Sequence, residues 1–294
     1  MQTNFQGTGV AIVTPFFNNG NIDFDSLGNL LEHIISNGVD FMVALGTTSE
    51  AVTLTSNEKK KVMAFVIQMV NGRVPIVMGL GGNNTAAIVE SIKSTDFSGI
   101  AGILSVAPYY NKPNQRGIFQ HFSQIATASP VPIILYNVPG RTSSNIQATT
   151  VLELAQNHSN IVAIKEASGD LMQVMEIIKN KPADFNVLSG DDALTFPMMA
   201  LGAKGVISVV ANAFPAEFSK MVSFSLEGNF AGAKEIHYAL LEIINQLFAD
   251  GNPAGIKAAL SILNICENNL RLPMVTITDT HFAETETLID GLRL

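Results

Sequence analysis

The feature that most limits what this chain can fold into is a recurring short apolar run. The runs read VAIVTPF from Val10, FMVALGT from Phe41, VPIVMGL from Val74, GILSVAP from Gly102, PIILYN from Pro132, IVAIKEAS from Ile161, NVLSG from Asn186 and GVISVV from Gly205. These eight begin roughly every 20 to 33 residues. Near-continuous Val and Ile suit parallel strands covered on both faces, whereas half-exposed antiparallel strands alternate apolar and polar residues. The intervening segments carry helical period: Leu27, Leu30, Leu31, Ile34 and Ile35 follow i, i+3, i+4, i+7, i+8. Thr55-Ser56-Asn57-Glu58 reads as a capping box ahead of a stripe made by Val62, Phe65, Val66, Met69 and Val70. Leu171, Val174, Met175 and Ile178 repeat the pattern, and Pro215 holds a first-turn position ahead of Phe218, Met221 and Val222.

Eight strand–helix units predict an α/β fold, a (β/α)8 TIM barrel, over residues 1–228. A doubly wound sheet also alternates strands and helices, but its rhythm breaks where the winding reverses, and no such break occurs here. From about Asn229 the strands stop. Phe230, Ala233, Ile236, Leu240, Ile243, Ile244 and Leu247 predict one helix, and Gly255 to Cys266 another, so residues 229–294 are expected to form a small C-terminal helical appendage.

Composition narrows the function classes. Apolar residues make up 47% and charged residues 14%, the reverse of a disordered chain. With 17 Lys+Arg against 25 Asp+Glu the net charge is −8, which argues against a nucleic-acid partner; Lys59-Lys60-Lys61 reads as a solvated helix face. A single cysteine, Cys266, excludes a disulfide framework and a Cys-rich metal site, and the five histidines lack zinc-ligand spacing. The N-terminus has no basic region before an apolar core, and the longest stretch free of charge, Gly117 to Gly140, is interrupted by three prolines. No membrane association and a cytoplasmic location are therefore expected.

In such a barrel the active site lies where the strands end. Strand two ends in Gly46-Thr47-Thr48-Ser49-Glu50, strand four in Pro108-Tyr109-Tyr110-Asn111, strand five in Tyr136-Asn137-Val138-Pro139-Gly140-Arg141, strand six in Lys165-Glu166 and strand seven in Ser189-Gly190-Asp191-Asp192. Lys165 stands out. Period-two alternation puts it on the face of Ile161 and Ala163, the expected barrel interior, where burial disfavours an ammonium and suits an amine nucleophile. An internal ion pair is the alternative. Tyr136 suits proton exchange with a lysine-bound carbonyl, or simply fills the barrel mouth. Thr47 and Thr48 offer hydroxyls and amides to a carboxylate, and Arg141 offers a bidentate grip unless it is merely solvated. Gly79-Leu80-Gly81-Gly82 lacks a full phosphate-binding pattern and reads as a turn. Asp191 and Asp192, being adjacent, suit a helix N-terminus better than paired acid–base work.

Taken together these motifs resemble the dihydrodipicolinate synthase / N-acetylneuraminate lyase family of class I aldolases. The likeness runs from Thr14-Pro15-Phe16 and Gly20-Asn21-Ile22-Asp23, through Leu54-Thr55, Tyr109-Tyr110-Asn111-Lys112-Pro113 and the Tyr136 and Lys165 motifs, to Gly205-Val206-Ile207-Ser208 and Arg271-Leu272-Pro273. It implies that Lys165 forms an imine with pyruvate, that Tyr136 shuttles protons, and that Thr47 and Tyr110 relay them, Tyr110 coming from a neighbouring subunit. Thr48 would hold the pyruvate carboxylate, with Ile207 (through its backbone) and Gly190 lining the substrate pocket. Gly140-Arg141-Thr142 resembles the synthase branch, in which the arginine takes the carboxylate of L-aspartate 4-semialdehyde on the way to lysine and diaminopimelate. A sister aldolase acting on a sugar acid or another 2-keto acid is the alternative, and a non-catalytic pyruvate-binding barrel is a third reading. The resemblance implies no metal or organic cofactor, and a homotetramer built as a dimer of dimers. Two departures stand out. Ser49 replaces a family glycine, at a cost if that position needs positive φ. Lys59 and Ala87 stand where lysine-sensitive relatives carry a histidine and a glutamate, which implies weak or absent lysine inhibition.

Overall fold

The structure is a computed structural model that describes residues 5–292. Eight parallel strands close into a barrel in sequence order: β1 (Gly7–Ala11), β2 (Phe41–Ala44), β3 (Ile76–Gly79), β4 (Gly102–Val106), β5 (Ile133–Asn137), β6 (Ile161–Glu166), β7 (Asn186–Ser189) and β8 (Gly205–Ser208). Around them run α1 (Phe24–Ser36), α2 (Ser56–Val70), α3 (Thr85–Ser94), α4 (Gln115–Ala128), the short α5 (Pro139–Thr142), α6 (Ala148–Asn157), α7 (Leu171–Asn180), α8 (Thr195–Leu201) and α9 (Pro215–Leu226). The tail adds α10 (Phe230–Phe248), α11 (Ala254–Ile262) and α12 (Asp279–Gly291). The predicted TIM barrel is thus the observed fold. Among the described residues no helix is long and apolar enough to cross a membrane.

Both strand faces are buried, as the continuous apolar runs require. On β2, Phe41 and Val43 join the interior cluster with Val77, Leu104, Ile134 and Leu188, while Met42 and Ala44 face the helices. Helix α2 starts on the expected capping box: Thr55 Oγ1 accepts from Glu58 N while a Glu58 carboxylate oxygen accepts from Thr55 N.

Three local expectations need correction. β1 starts at Gly7 instead of Val10, because Gly7 and Gly9 give no apolar signal, yet their missing side chains let the barrel close. Gly7 pairs in register with Gly205, and a Cβ on Gly205 would collide with the Gly7 backbone. Ile161 does not share the face of Lys165: a register shift pairs Ile133 with Ile161 but Ile134 with Ala163, so the alternation resets. Ile161 packs in the outer core and Ala163 in the interior. The helix after Gly255 stops at Ile262, because Asn264 adopts φ 58° and the Ile265 amide folds back onto the Leu260 carbonyl. Helix α12 escapes the periodicity reading because it buries only Thr285.

The tail is fastened to the barrel mouth by charge. Lys257 on α11 is fully buried, with Nζ 2.5 Å from Glu50 Oε1, 2.8 Å from the Asn269 carbonyl and 4.2 Å from the centre of the Phe16 ring. Burial pushes the Lys257 ammonium down and Glu50 opposes that shift. Arg271 covers the same ring at 4.6 Å, donates its backbone amide to Glu50 Oε2 and grips Glu58 with two nitrogens. Lys257→Met leaves the Glu50 carboxylate buried without its cation and should cost about 3–5 kcal/mol. Denaturant midpoints should show that loss, and Lys257→Met/Glu50→Gln should recover part of it.

Arg271 and the Thr55 amide hold the Glu58 carboxyl down at about 2, below its ordinary 4.5. A lowered folded-state value stabilises above the unfolded value and ceases to do so as pH falls through the folded one. Glu58→Gln should therefore melt earlier than the parent at pH 7, by about 1 kcal/mol for a contact with a quarter of its carboxylate side chain exposed. That gap should close between about pH 4.5 and about pH 2, as thermal melts across that range will show.

Candidate active site

Strand register puts the two central groups side by side. Tyr136 on β5 pairs directly with Lys165 on β6, and the Lys165 Nζ sits 4.5 Å from the centre of the Tyr136 ring. Both are buried, at 8% and 5% exposure. Among the described residues no carboxylate lies within salt-bridge reach of the Lys165 Nζ, so the ion-pair alternative has no partner. The stem of Lys165 runs past Gly190, where a Cβ would come within 2.9 Å of its Cε and 2.8 Å of the Ala167 Cβ. Only glycine leaves that channel open.

A cavity of about 450 Å³ opens above this pair, with Lys165, Tyr136, Thr47, Thr48, Arg141 and Gly190 on its walls. Six of the eight residues singled out in the sequence therefore meet at one site. Ile207 is 1% exposed within the barrel interior, and its side chain is not on the cavity wall. Tyr110 is likewise absent from the wall: it is 88% exposed, with φ 73°. Such a φ is unusual for a bulky residue, and its amide, 3.4 Å from the Thr142 carbonyl, ties the bend to α5.

Polar contacts from behind hold the site. Asn137 and Glu166 follow Tyr136 and Lys165 and pair in the same register. The Asn137 Nδ2 lies 3.1 Å from both Glu166 oxygens and 2.7 Å from Asn145 Oδ1, while Gln173 Nε2 donates to Glu166 Oε2 at 2.8 Å. Burial raises the Glu166 carboxyl and these donors pull it back. Asn137 Oδ1 also accepts from the Ile146 amide, which anchors the segment carrying Arg141. At the end of β7 the two aspartates diverge: Asp191 accepts from the Ala193 amide, and the buried Asp192 accepts from the Val209 and Val210 amides. Burial raises the Asp192 carboxyl.

Ser49 turns out not to need positive φ; Leu45 and Glu50 take that conformation instead. The Ser49 hydroxyl donates to the Ile12 carbonyl at 2.6 Å, and its own carbonyl accepts from Thr14 Oγ1. The side chain a glycine would lack thus ties β1 to the Gly46–Glu50 loop.

Sequence reasoning missed the tail's share of the site. Ile244, Asn245, Phe248, Ala249 and Asn252 form one wall of the cavity. Asn252 reaches both sides: its Nδ2 donates to Thr48 Oγ1 at 3.1 Å, and its carbonyl accepts from Arg141 Nη2 at 3.4 Å. The only hint was the apolar stripe of α10, which gives no sign of which way the helix faces.

A buried amine outside any salt bridge, a phenol beside it, two threonines and a guanidinium on the cavity wall can attack a carbonyl, exchange protons and hold carboxylates. Known proteins carry the same arrangement of chain. A 4-hydroxy-tetrahydrodipicolinate synthase of Phocaeicola vulgatus is 49% identical over 294 residues, covering 100% of this chain and 99% of its own. The chloride-inhibited dihydrodipicolinate synthase of Acinetobacter baumannii, solved with pyruvate, superposes with a TM-score of 0.94 at 37% identity over 98% of this chain and 99% of that one. The enzyme of Cyanidioschyzon merolae, solved with lysine bound, gives 0.94 at 38% identity, covering 98% of both. The dihydrodipicolinate synthetase family profile matches residues 4–291, and the chain belongs to that family.

Proposed function

We infer that this chain is a 4-hydroxy-tetrahydrodipicolinate synthase: it condenses pyruvate with L-aspartate 4-semialdehyde through an imine on Lys165, in lysine and diaminopimelate biosynthesis. The observation that carries the mechanism is the pairing of Tyr136 with a buried Lys165 that makes no salt bridge among the described residues, under a cavity that also holds Arg141. The Lys165 amine attacks the pyruvate ketone, and Tyr136 supplies the proton with which the hydroxyl leaves as water. The protonated imine is the electron sink: the methyl group loses a proton and the resulting enamine carbon bonds to the aldehyde carbon, whose oxygen takes up a proton. The sink is built from the substrate itself, so this chemistry needs no metal or organic cofactor. Formation of a tetrahydrodipicolinate ring then requires the semialdehyde's own amine to displace the lysine from the imine carbon.

The remaining roles are those that the family resemblance implies. Thr48 holds the pyruvate carboxylate and Arg141 that of the semialdehyde, while Gly190 leaves room for the lysine and the Ile207 backbone lies near the imine. Thr47 passes protons between Tyr136 and Tyr110. By the family resemblance Tyr110 serves a partner's site in a homotetramer built from dimers, and its 88% exposure in the single chain is compatible with that role. Val52 and Leu272, 89% and 79% exposed, supply apolar surface for such contacts. A cytoplasmic setting suits the enzyme: Cys266 is buried, its thiol pushed up to about 11 by desolvation, and it has no disulfide partner.

Borohydride treatment with pyruvate should add one reduced pyruvate to Lys165, seen by peptide mass spectrometry; an unmodified Lys165 would overturn the mechanism. Arg141→Ala should keep that adduct while kcat/KM for the semialdehyde drops about 100-fold, as expected from losing a bidentate carboxylate contact. Equal loss of both would overturn the assignment of Arg141 to the semialdehyde, and a parent enzyme that forms the adduct but does not turn over the semialdehyde would point to the sugar-acid branch.

Feedback control should be weak. Lys59 on α2 and Ala87, in the first turn of α3, replace the groups that would hold a lysine ligand, although Asn83 still donates to the Tyr109 carbonyl at 3.2 Å. Turnover should be nearly unchanged by micromolar lysine, and strong inhibition there would refute this.

A further inference from the structure

We propose that Asn252, supplied by the tail, is a positioning residue that sets the direction of the Thr48 hydroxyl proton so that Thr48 donates to the pyruvate carboxylate. The proposal rests on the reading of Thr48 given above. A threonine hydroxyl has one proton and two lone pairs, whereas a carboxylate offers acceptors only. Thr48 can hold a carboxylate by its hydroxyl only if its other neighbour gives a proton instead of taking one. The Asn252 Nδ2, 3.1 Å away, is such a donor.

The neighbouring hydroxyls behave differently. Thr14 donates to the Ser49 carbonyl, Ser49 to the Ile12 carbonyl and Thr142 to the Ser144 carbonyl, so each spends its proton on the backbone. Thr48 is equally buried, at 2% exposure, yet among the described residues no acceptor takes its proton. Asn252 is itself 5% exposed and leaves its Oδ1 sealed without a partner. A buried acceptor with no donor destabilises the fold, and an apolar side chain of the same shape would avoid that cost. What the carboxamide provides in return is its donor.

Geometry also separates the two substrates. The side chain of Asn252 touches Thr48, whereas Arg141 meets only its backbone carbonyl. A side-chain substitution therefore alters the pyruvate end and spares the semialdehyde end. Both partners approach on segments pinned together by the Lys257–Glu50 pair, so the contact is held without help from ligand.

The test is steady-state kinetics on the full chain for Thr48→Val, Asn252→Ala, Asn252→Asp and the Thr48→Val/Asn252→Ala double variant. Asn252→Asp keeps the shape but turns the donor into an acceptor, and it carries the test if alanine leaves the loop unfolded. Both Asn252 variants should raise the pyruvate KM about tenfold or more, with the semialdehyde KM within about twofold of the parent. In the Thr48→Val background, Asn252→Ala should add nothing further, because the residue acts through Thr48. A Thr48→Val enzyme with an unchanged pyruvate KM would remove the reading of Thr48, and this proposal with it. A raised KM in Thr48→Val, beside either a parental Asn252→Ala or effects that multiply independently, overturns the positioning role alone. So does an equal rise in the KM of both substrates, which marks a loosened loop.

Discussion

The ion pair between Lys257 and Glu50 is the contact on which the closed side of the cavity depends. Neither residue touches the cavity, and each ends a segment that does: Glu50 follows Gly46-Thr47-Thr48-Ser49, and Lys257 follows Asn252 by five positions. A buried pair of this kind is expensive, since both charges lose water, and it persists only where further partners satisfy the remaining groups. Here those partners come from two segments. In the tail, Asn269 accepts from the lysine and the Arg271 amide donates to the carboxylate, and after β1 the Phe16 ring lies within 4.6 Å of both cations. Loops after β1 and β2 and the tail are thereby joined at one point. An apolar contact would hold them as firmly, but it would leave their relative rotation less defined than directional hydrogen bonds do.

A second polar cluster works from the opposite side. Asn137, Asn145, Glu166 and Gln173 sit behind Tyr136 and Lys165, between strand and helix layer, and bond to one another. Because adjacent residues on a strand face opposite ways, the step from Lys165 to Glu166 turns from cavity to support in a single residue. The network bonds Asn137 to the Ile146 amide as well, so the segment bearing Arg141 is tied to the same strands that carry the reacting pair. Polar groups buried this fully are costly when only partly satisfied and rigid when paired throughout. The site is thus braced from both sides while its own floor stays simple.

Much of this was legible in the sequence because the relevant physics is local. Strand runs, helix stripes and the Thr55–Glu58 cap depend on neighbours a few residues apart, and they located all eight strands and six of the twelve helices. The identity of Lys165 was legible because a lysine in a strand otherwise buried on both faces violates the pattern around it. What failed was what depends on partners distant in sequence. The face of Ile161 changed because of a register shift against β5, which no alternation within β6 can reveal. The cost assigned to Ser49 vanished because Leu45 and Glu50 take the positive φ instead, and the serine hydroxyl meets a carbonyl 37 positions away. Asn252 meets Thr48 across 204 positions, a contact that no local pattern announces.

The low share of charged residues can now be tied to chemistry. Across all eight strands the charged residues are Lys165 and Glu166, and they part company at once: the glutamate collects donors, while the lysine makes no salt bridge among the described residues, although its charge is felt by the buried Asp192 carboxyl. The Tyr136 ring, paired with Lys165 on the next strand, lies 4.5 Å from the nitrogen. Gly190 and Ala167 shape a channel for the stem without adding a polar group. Removing charge from the strands is therefore more than a requirement of a core buried on two faces. It also leaves a single amine on the interior face, beside Tyr136 and under the cavity.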